Sequence, residues 1–441
     1  MSPPERLDSW KEIAAFIGRD VRTAIRWAKD QGMPVHRVPG AKRSRVFGSR
    51  SEIASWLEGG RDRASNGETS VEVGSARTQW FWAAGIMACA ILAIAAWRSH
   101  AHSQVLPARG DVTGNTVRVF DDQGRTLWTY RLAHAIEPSL FPHDRGAGYF
   151  MRIADLQGDG NREVLLVEPY RLGPNPDDAV GVEVDCLSSR GGLLWRYVPD
   201  ESFQFGAHEL NGPWKAYDLL LSEDGPKPSI WIAIIHNVWG NSFVVQLDPT
   251  TGRHTVRFVN TGIIHKLREL QTSHTRYLLI GGFNNEWDGG SLAIMDERTP
   301  FAASPQTQGT RHFCMSCPAG APDYYLVFPR SEINQFEKVY ENPIFLIDIN
   351  HDEVQVSKFE TDSGPQGVRT IFLFRLDSHI EPVSLRYDSG YDMLHRELSA
   401  KGELDHSLDK CPERLHPQAV KIWTPTTRWS SLSFAAAKSA D

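Results

Sequence analysis

The chain has 441 residues, enough for two or three domains, and its apolar fraction of 41% is ordinary for a folded protein. Its five cysteines exclude a fold built on a disulfide framework, and we expect no cleaved signal peptide at its start. The net charge of −7 is unevenly distributed, because residues 1–60 carry eleven Lys and Arg against seven Asp and Glu. A basic head on an acidic body indicates a polyanionic partner for the head alone.

Two short helices are predicted in the basic head. Ser9 and Glu12 have the spacing of a capping box before an apolar stripe, and Gly18 can end that helix. A second helix is predicted over residues 20–29, with one apolar side formed by Val21, Ala24, Ile25 and Ala28. The polar residues predicted to face outward from this helix, or to precede it, are Arg19, Arg22, Thr23, Arg26 and Lys29. Two helices around a tight turn are typical of a helix-turn-helix motif.

A basic β-hairpin and a third helix are predicted next. The stretch "MPVHRVPGAKRSRVFGS" contains two β-prone runs around a Pro-Gly turn, with Lys42, Arg43 and Arg45 at its tip. Residues 7–58 resemble the winged-helix DNA-binding domain of the MerR/excisionase type. That resemblance implies a domain at residues 1–58 that binds double-stranded DNA without a cofactor, with the second helix in the major groove. The alternatives are a solvated basic face and a head that docks a protein.

An apolar segment follows a linker predicted at residues 59–79. Residues 80–97 contain no charge and as a helix would measure about 27 Å, close to the thickness of a hydrocarbon core. Trp80, Trp82 and Trp97 flank it like interfacial residues. The sequence therefore predicts a single-pass transmembrane helix. Small residues within it indicate a homodimer, which two heads on adjacent DNA half-sites would also require.

Residues 105–430 are predicted to be all-β and without amphipathic helices. A degenerate unit recurs as "FDDQGRTLWTYRL" from Phe120, "LSSRGGLLWRYVP" from Leu187, "LDPTTGRHTVRFV" from Leu247, and a remnant from Ile294. The spacing fits four-stranded propeller blades, with the blade number open. Further hairpins are predicted at "IFLIDINHDEVQVSKFE" and "SLRYDSGYDMLHRELSAKGEL".

One loop of this region carries a second resemblance. The stretch "IADLQGDGNREVLLVEP" is similar to the repeat core of FG-GAP/VCBS-type β-propellers. The resemblance implies calcium held by Asp155, Asp159 and Glu163, although Gln157 stands where a third Asp or Asn is usual. The alternative is a hydrogen-bonded turn built on Asp155 without an ion.

The cysteines outside the apolar segment include a CxxC pair. Cys314 and Cys317 favour a local disulfide in an oxidising compartment. A zinc site formed with His312 and Cys411, or a redox-active pair, stays open as an alternative.

The predicted fold class is therefore multidomain: a small α-rich winged helix, one transmembrane helix, and a large all-β domain of propeller type. No nucleophile elbow, phosphate-binding glycine loop or HExxH motif is found, so we expect no enzymatic activity. The combination resembles ToxR-like membrane-anchored transcriptional regulators. It implies a bacterial inner membrane, a cytoplasmic N-terminus, and an extracytoplasmic domain that senses a ligand or protein. The alternatives are a membrane-tethered interaction scaffold and an extracytoplasmic propeller enzyme with a cytoplasmic head.

Overall fold

A computed structural model of the chain provides the structure. It describes residues 5–37, 46–65, 106–136, 151–175, 177–223, 228–336, 341–361 and 367–435. The chain divides into two compact units, residues 1–103 and residues 104–441. Residues 66–79 of the predicted linker and the predicted span at residues 80–97 lie outside the described residues, as does the tip of the predicted hairpin at residues 38–45. Residues 59–65 of the predicted linker are described and belong to a helix.

The first unit combines short helices with a small sheet. Its elements are β1 (Arg6–Leu7), α1 (Trp10–Phe16), α2 (Val21–Asp30), β2 (His36–Arg37), β3 (Val46–Ser49) and α3 (Arg50–Ser65). The strands form one sheet in the order β1-β3-β2. The Ser9 side chain accepts a hydrogen bond from the Glu12 backbone N–H and so caps α1, while Asp20 caps α2 in the same way.

Helix α2 does not bury the side that its apolar pattern predicts. Ala24 is buried, but Val21 and Ile25 are 39% and 43% exposed. The indole ring of Trp27 lies 5.8 Å from that of Trp56, so the side of the helix that carries Trp27 faces the small core. The outer face of α2 is consequently part apolar and part basic, not a continuous basic surface.

The second unit is built almost entirely of strands. In chain order these are β4 (Arg109–Thr113), β5 (Thr116–Phe120), β6 (Thr126–Arg131), β7 (Met151–Ala154), β8 (Glu163–Arg171), β9 (Val180–Leu187), β10 (Leu193–Tyr197), β11 (Phe203–Phe205), β12 (His208–Leu210), β13 (Trp214–Ser222), β14 (Ser229–His236), β15 (Ser242–Leu247), β16 (His254–Asn260), β17 (Ile264–Gln271), β18 (Arg276–Asn284), β19 (Gly289–Asp296), β20 (Ala302–Ala303), β21 (Tyr324–Phe328), β22 (Ile344–Asn350), β23 (Glu353–Thr361), β24 (Val368–Leu376), β25 (Ile380–Tyr387), β26 (Val420–Thr424) and β27 (Arg428–Leu432). Its helices are α4 (Ser389–Lys401), α5 (Pro412–Leu415) and two short 3₁₀ turns, Ile333–Phe336 and Leu408–Lys410.

These strands form five sheets and one separate hairpin. The sheets have the orders β4-β5-β6, β10-β9-β8-β7, β13-β14-β15-β16-β20, β17-β18-β19-β21-β26-β27 and β22-β23-β24-β25, and the hairpin is β11-β12. Apart from the parallel pair β16–β20, the neighbouring strands are antiparallel. The expectation of a large all-β region is thus confirmed, although the region also contains α4, a helix of 13 residues that was not predicted.

The predicted fold class as a whole is wrong. Strands account for 46% of the described residues and helices for 14%, and the longest described helix, α3, has 16 residues. Within the described residues, none of the helices has both the length and the apolar character that crossing a bilayer requires. The described part of the chain is therefore predominantly β, and neither an α-rich winged-helix domain nor a membrane helix is evident in it.

The recurring sequence unit coincides with the outer hairpins of successive sheets. The Trp128 indole N–H on β6 donates to the Ser189 carbonyl in the turn after β9. The Trp195 indole N–H on β10 donates to the Pro249 carbonyl in the turn after β15, and both hydrogen bonds are 2.9 Å long. On β16 the guanidinium of Arg257 replaces the indole and donates to the Thr299 carbonyl at 2.6 Å. Each copy thus holds the turn of the next sheet.

The turn glycine beneath Trp195 is expected to tolerate no side chain. Gly252 has a φ of +69°, and a Cβ there would lie 2.7 Å from the Trp195 ring. Gly309 has a φ of +82° but open space around it. We expect Gly309→Ala to cost about 1–2 kcal/mol of left-handed strain and Gly252→Ala to cost about 1–3 kcal/mol more from overpacking. Urea unfolding of both variants measures the difference, and equal costs would contradict the close packing.

A buried acidic cluster lies where β6 meets the second sheet. Arg196 binds Asp185 through two hydrogen bonds of 2.6 Å and also reaches Glu183 at 3.1 Å. Glu168 is 1% exposed, and neither of its carboxylate oxygens has a hydrogen-bond partner among the described residues. Burial, followed by the charge of Asp185, raises the pKa of Glu168 to about 9. Glu168 is therefore protonated in the folded chain at neutral pH.

Replacing this buried acid should remove a pH dependence of stability. An unfolded glutamate loses its proton near pH 4.3, at about its reference pKa, whereas folded Glu168 keeps it up to about pH 9. The folded state binds more protons in this window, so stability falls as the pH rises through it, by at most about 1.4 kcal/mol per pH unit. We expect the Glu168→Gln variant to have the same free energy of unfolding as the native chain near pH 4.5 and a higher one at pH 8. Unfolding curves at the two pH values test this; a Gln variant with an unchanged pH profile would show that Glu168 ionises normally.

Candidate metal centre

Four donor side chains from distant parts of the chain converge in the second unit. They are Glu332, His395, His406 and Cys411, and one donor atom from each lies within 4.8 Å of all the others. The Glu332 Oε1 atom is 3.1 Å from His395 Nε2, 3.3 Å from His406 Nε2 and 3.1 Å from Cys411 Sγ. The two imidazole Nε2 atoms are 3.3 Å apart.

The local fold places each donor. Glu332 precedes the 3₁₀ turn that follows β21, and its backbone N–H donates to Glu413 Oε1 at 2.7 Å. His395 projects from α4 and is fully buried, whereas His406 lies in the loop after that helix. Cys411 immediately precedes α5, whose first residue is proline, and is also buried.

Helix α4 corrects the hairpin predicted at "SLRYDSGYDMLHRELSAKGEL". Only the first part of that stretch is a strand, β25, and the rest is helical. The Asp388 side chain accepts a hydrogen bond from the Tyr391 backbone N–H and starts the helix, and Gly402 ends it in the left-handed conformation at a φ of +74°. The hairpin prediction is therefore wrong for the part of this stretch that follows Tyr387.

The spacing of the donors fits a tetrahedral ion. Bond lengths of about 2.0–2.3 Å to zinc place neighbouring ligands about 3.3–3.6 Å apart. The four separations given above are 3.1–3.3 Å, and Cys411 lies within 4.8 Å of a donor nitrogen of each imidazole. Without an ion, three donor groups crowd one oxygen of Glu332, which has only two lone pairs for them. An ion at the centre would be bound by all four side chains and relieve this crowding.

The charges of the four side chains match a divalent cation. Burial and the contact with Glu332 raise the pKa of the Cys411 thiol to about 11, so the thiol is neutral in the absence of an ion. Burial also lowers the pKa of His395, which favours the neutral imidazole that a metal binds. A bound cation would release the thiol proton, and the resulting thiolate with the Glu332 carboxylate would balance two positive charges.

The surroundings of the two imidazoles differ. The Nδ1 atom of His406 lies 2.8 Å from Asp405 Oδ1, a hydrogen bond that raises the pKa of His406 and directs its Nε2 atom toward the centre. The Nδ1 atom of His395 is buried and has no hydrogen-bond partner among the described residues. His395 is held by the packing of α4, in which its neighbour Tyr391 donates to Glu413 at 2.9 Å.

Cys314 and Cys317 of the predicted cysteine site form a disulfide. Their thiolates are therefore not available as ligands, which removes the zinc site proposed from this pair with His312 and Cys411. Cys411 instead contacts Glu332.

The predicted calcium ligands lie in a tight hydrogen-bonded loop. Asp155 accepts hydrogen bonds from the backbone N–H groups of Gly158, Asp159 and Gly160, and Glu163 accepts one from Leu156. Within the described parts of the chain, these carboxylates do not form one of the clusters that could hold an ion.

The predicted DNA-binding residues have mixed surroundings. Arg19, Arg22, Arg26 and Lys29 are exposed, whereas Thr23 donates its hydroxyl to Asp20 at the start of α2 and is part of the helix cap. Lys42, Arg43 and Arg45 lie outside the described residues.

Comparisons with known proteins give matches among solved structures. No family model and no curated protein matches the chain. Among solved structures, a eukaryotic initiation factor matches with a TM-score of 0.27 and 11% identity, covering 63% of this chain and 62% of that one. A mutant apocarotenoid oxygenase of Synechocystis matches with a TM-score of 0.25 and 7% identity, covering 60% and 64%. An ACO/RPE65 chimera matches with a TM-score of 0.25 and 8% identity, covering 60% and 63%. The chain thus spans slightly less than two thirds of each of these three structures.

These findings correct the predicted function. No helix-turn-helix or FG-GAP model matches, no structure reported above is a DNA-binding regulator, and no helix in the described ranges can cross a membrane. The prediction of a membrane-anchored DNA-binding regulator is therefore wrong, together with its DNA and membrane partners, its homodimer on DNA and its place in a bacterial inner membrane. The prediction of no enzymatic activity is contradicted as well, since an apocarotenoid oxygenase is among the matched structures. Their low TM-scores transfer no particular reaction to this chain.

Proposed function

We propose that the chain binds one zinc ion through Glu332, His395, His406 and Cys411. The observation that carries the proposal is the convergence of these four donors at tetrahedral spacing. Sulfur, two imidazoles and a carboxylate form a donor set that suits zinc and does not suit calcium or magnesium.

The metal would connect segments that belong to different sheets. Glu332 follows β21 of the fourth sheet, while His395 lies on the helix that follows β25 of the fifth. Four protein ligands leave no position open, which is typical of structural zinc. We therefore propose that the ion holds the helical segment between β25 and β26 against the β-region.

Cobalt provides a direct test, because Co²⁺ bound by a thiolate absorbs in the near ultraviolet. One Co²⁺ per full-length chain should give this band, and zinc should displace it. Cys411→Ser should lose the band, whereas Cys186→Ser should keep it, because Cys186 is a buried cysteine of the second sheet outside the cluster. A band that survives in Cys411→Ser, or no stoichiometric binding by the native chain, would overturn the proposal.

We also propose that residues 105–430 form a β-propeller, supported by the successive antiparallel meanders and by the hydrogen bonds from each repeat to the next turn. Calcium at Asp155, Asp159 and Glu163 stays a prediction.

A further inference from the structure

A second group of donors lies on a different pair of sheets. One ligand atom each from Asp200, Glu201 and His254 lies within 4.8 Å of the other two. We infer that these three side chains bind a divalent transition-metal ion whose remaining coordination positions are open to water or to an anionic oxygen ligand. This site shares no residue with the proposed zinc centre.

The three donors come from two neighbouring sheets. Asp200 and Glu201 lie in the loop between β10, the edge strand of the second sheet, and β11, and His254 is the first residue of β16 in the third sheet. The packing of Trp195 against Gly252 joins these two edges. The Glu201 backbone is fixed in turn, because its carbonyl accepts a hydrogen bond from the Trp214 indole at 3.1 Å.

The Glu201 carboxylate has an unused buried oxygen. Its side chain is only 8% exposed. Oε1 accepts a hydrogen bond of 2.8 Å from the Tyr197 hydroxyl and lies 3.5 Å from His254 Nε2. Oε2 is buried and has no hydrogen-bond partner among the described residues. A buried oxygen without a partner destabilises a fold, and a cation bound by the Glu201 carboxylate together with Asp200 and His254 would remove this penalty.

The donor chemistry selects the kind of ion. Two carboxylates balance the charge of a divalent cation. A neutral imidazole adds a nitrogen ligand, which favours first-row transition metals over calcium and magnesium. The set has no sulfur, in contrast to the zinc centre. Asp200 and His254 are exposed, so water reaches the ion from their side. Three protein ligands with open positions are typical of metal sites that bind a substrate or activate water.

Manganese separates the two sites, because Mn²⁺ favours oxygen donors over thiolates. We expect one Mn²⁺ to bind the full-length chain, measured by the loss of the free-ion EPR signal. Bound Mn²⁺ should also enhance water-proton relaxation, since open positions keep exchangeable water on the ion. Glu201→Gln and His254→Gln should each weaken binding by at least about tenfold, the lower end of the effect of losing even an outer-shell partner.

Two control variants make the result specific. Glu209→Gln removes a nearby exposed carboxylate that accepts a hydrogen bond from Ser202 and should not change Mn²⁺ affinity. Cys411→Ser removes a ligand of the zinc centre and should not change it either. Because Glu201→Gln alters a buried group, the melting curve of this variant is compared with that of the native chain to check that it folds. His254→Gln tests the same site at an exposed residue. Absence of stoichiometric Mn²⁺ binding, or equal affinity in His254→Gln and Glu209→Gln, would overturn the inference.

Discussion

Zinc at about 1,000 times its dissociation constant is expected to raise the free energy of unfolding of the chain by about 4 kcal/mol. The four ligands are brought together only by the fold, so the ion binds the folded state and not the unfolded chain. Thermal unfolding of the full-length chain, first treated with chelator and then supplied with zinc, measures the gain.

The ligand variant for this experiment is His395→Gln, which removes a buried donor from α4. Its unfolding should no longer respond to zinc. His379→Gln replaces an exposed histidine after β24 and should respond like the native chain. A zinc-dependent gain in His395→Gln as large as in the native chain would mean that the ion binds elsewhere.

Trp195→Ala is expected to destabilise the chain by about 3–5 kcal/mol, the cost of removing a large buried aromatic side chain. The indole is buried, covers Gly252 of the neighbouring sheet and donates to the Pro249 carbonyl at 2.9 Å. Its removal opens a cavity between two sheets and leaves the carbonyl without this donor. Urea unfolding of the full-length chain measures the loss.

A matched tryptophan shows whether burial causes this loss. Trp239 is half-exposed, and Trp239→Ala should change stability by no more than about 0.5 kcal/mol. Trp195→Phe keeps an aromatic ring on Gly252 but removes the indole N–H, so it should cost about 1–3 kcal/mol. If Trp195→Ala were as mild as Trp239→Ala, the repeat contacts would not hold the sheets together.

The sequence predicted the β-region because its signals are local. Alternating strands and turn residues such as Gly191 and Gly252 marked the outer hairpins correctly. The order of strands in the fourth sheet could not be predicted, because β26 joins β21 from far along the chain. In the head, the helices lie where the caps predicted them, but the rotation of α2 depends on the packing of Trp27 against Trp56.

The candidate metal centre was missed because its contacts join parts of the chain that are far apart in sequence. Cys411 was considered as a ligand, but with the wrong partners, since spacing along the chain does not connect it to Glu332. His395 could have been found only with the helix that carries it. Asp388 and Gly402 were the available signals, and recognising this cap pair would have placed His395 on a buried helical face.

The strands β26 and β27 have a consequence for how the chain is synthesised. Trp423, Ile422 and Lys421 pair with Tyr325, Leu326 and Val327 of β21, so this sheet stays incomplete until the ribosome has made residue 432. Until then the nascent chain presents β21 as an open hydrophobic edge, the kind of surface on which chains aggregate. Premature termination before Val420 would therefore produce a chain that exposes this edge permanently, and such a product is the form of this protein that chaperones and proteases would have to remove.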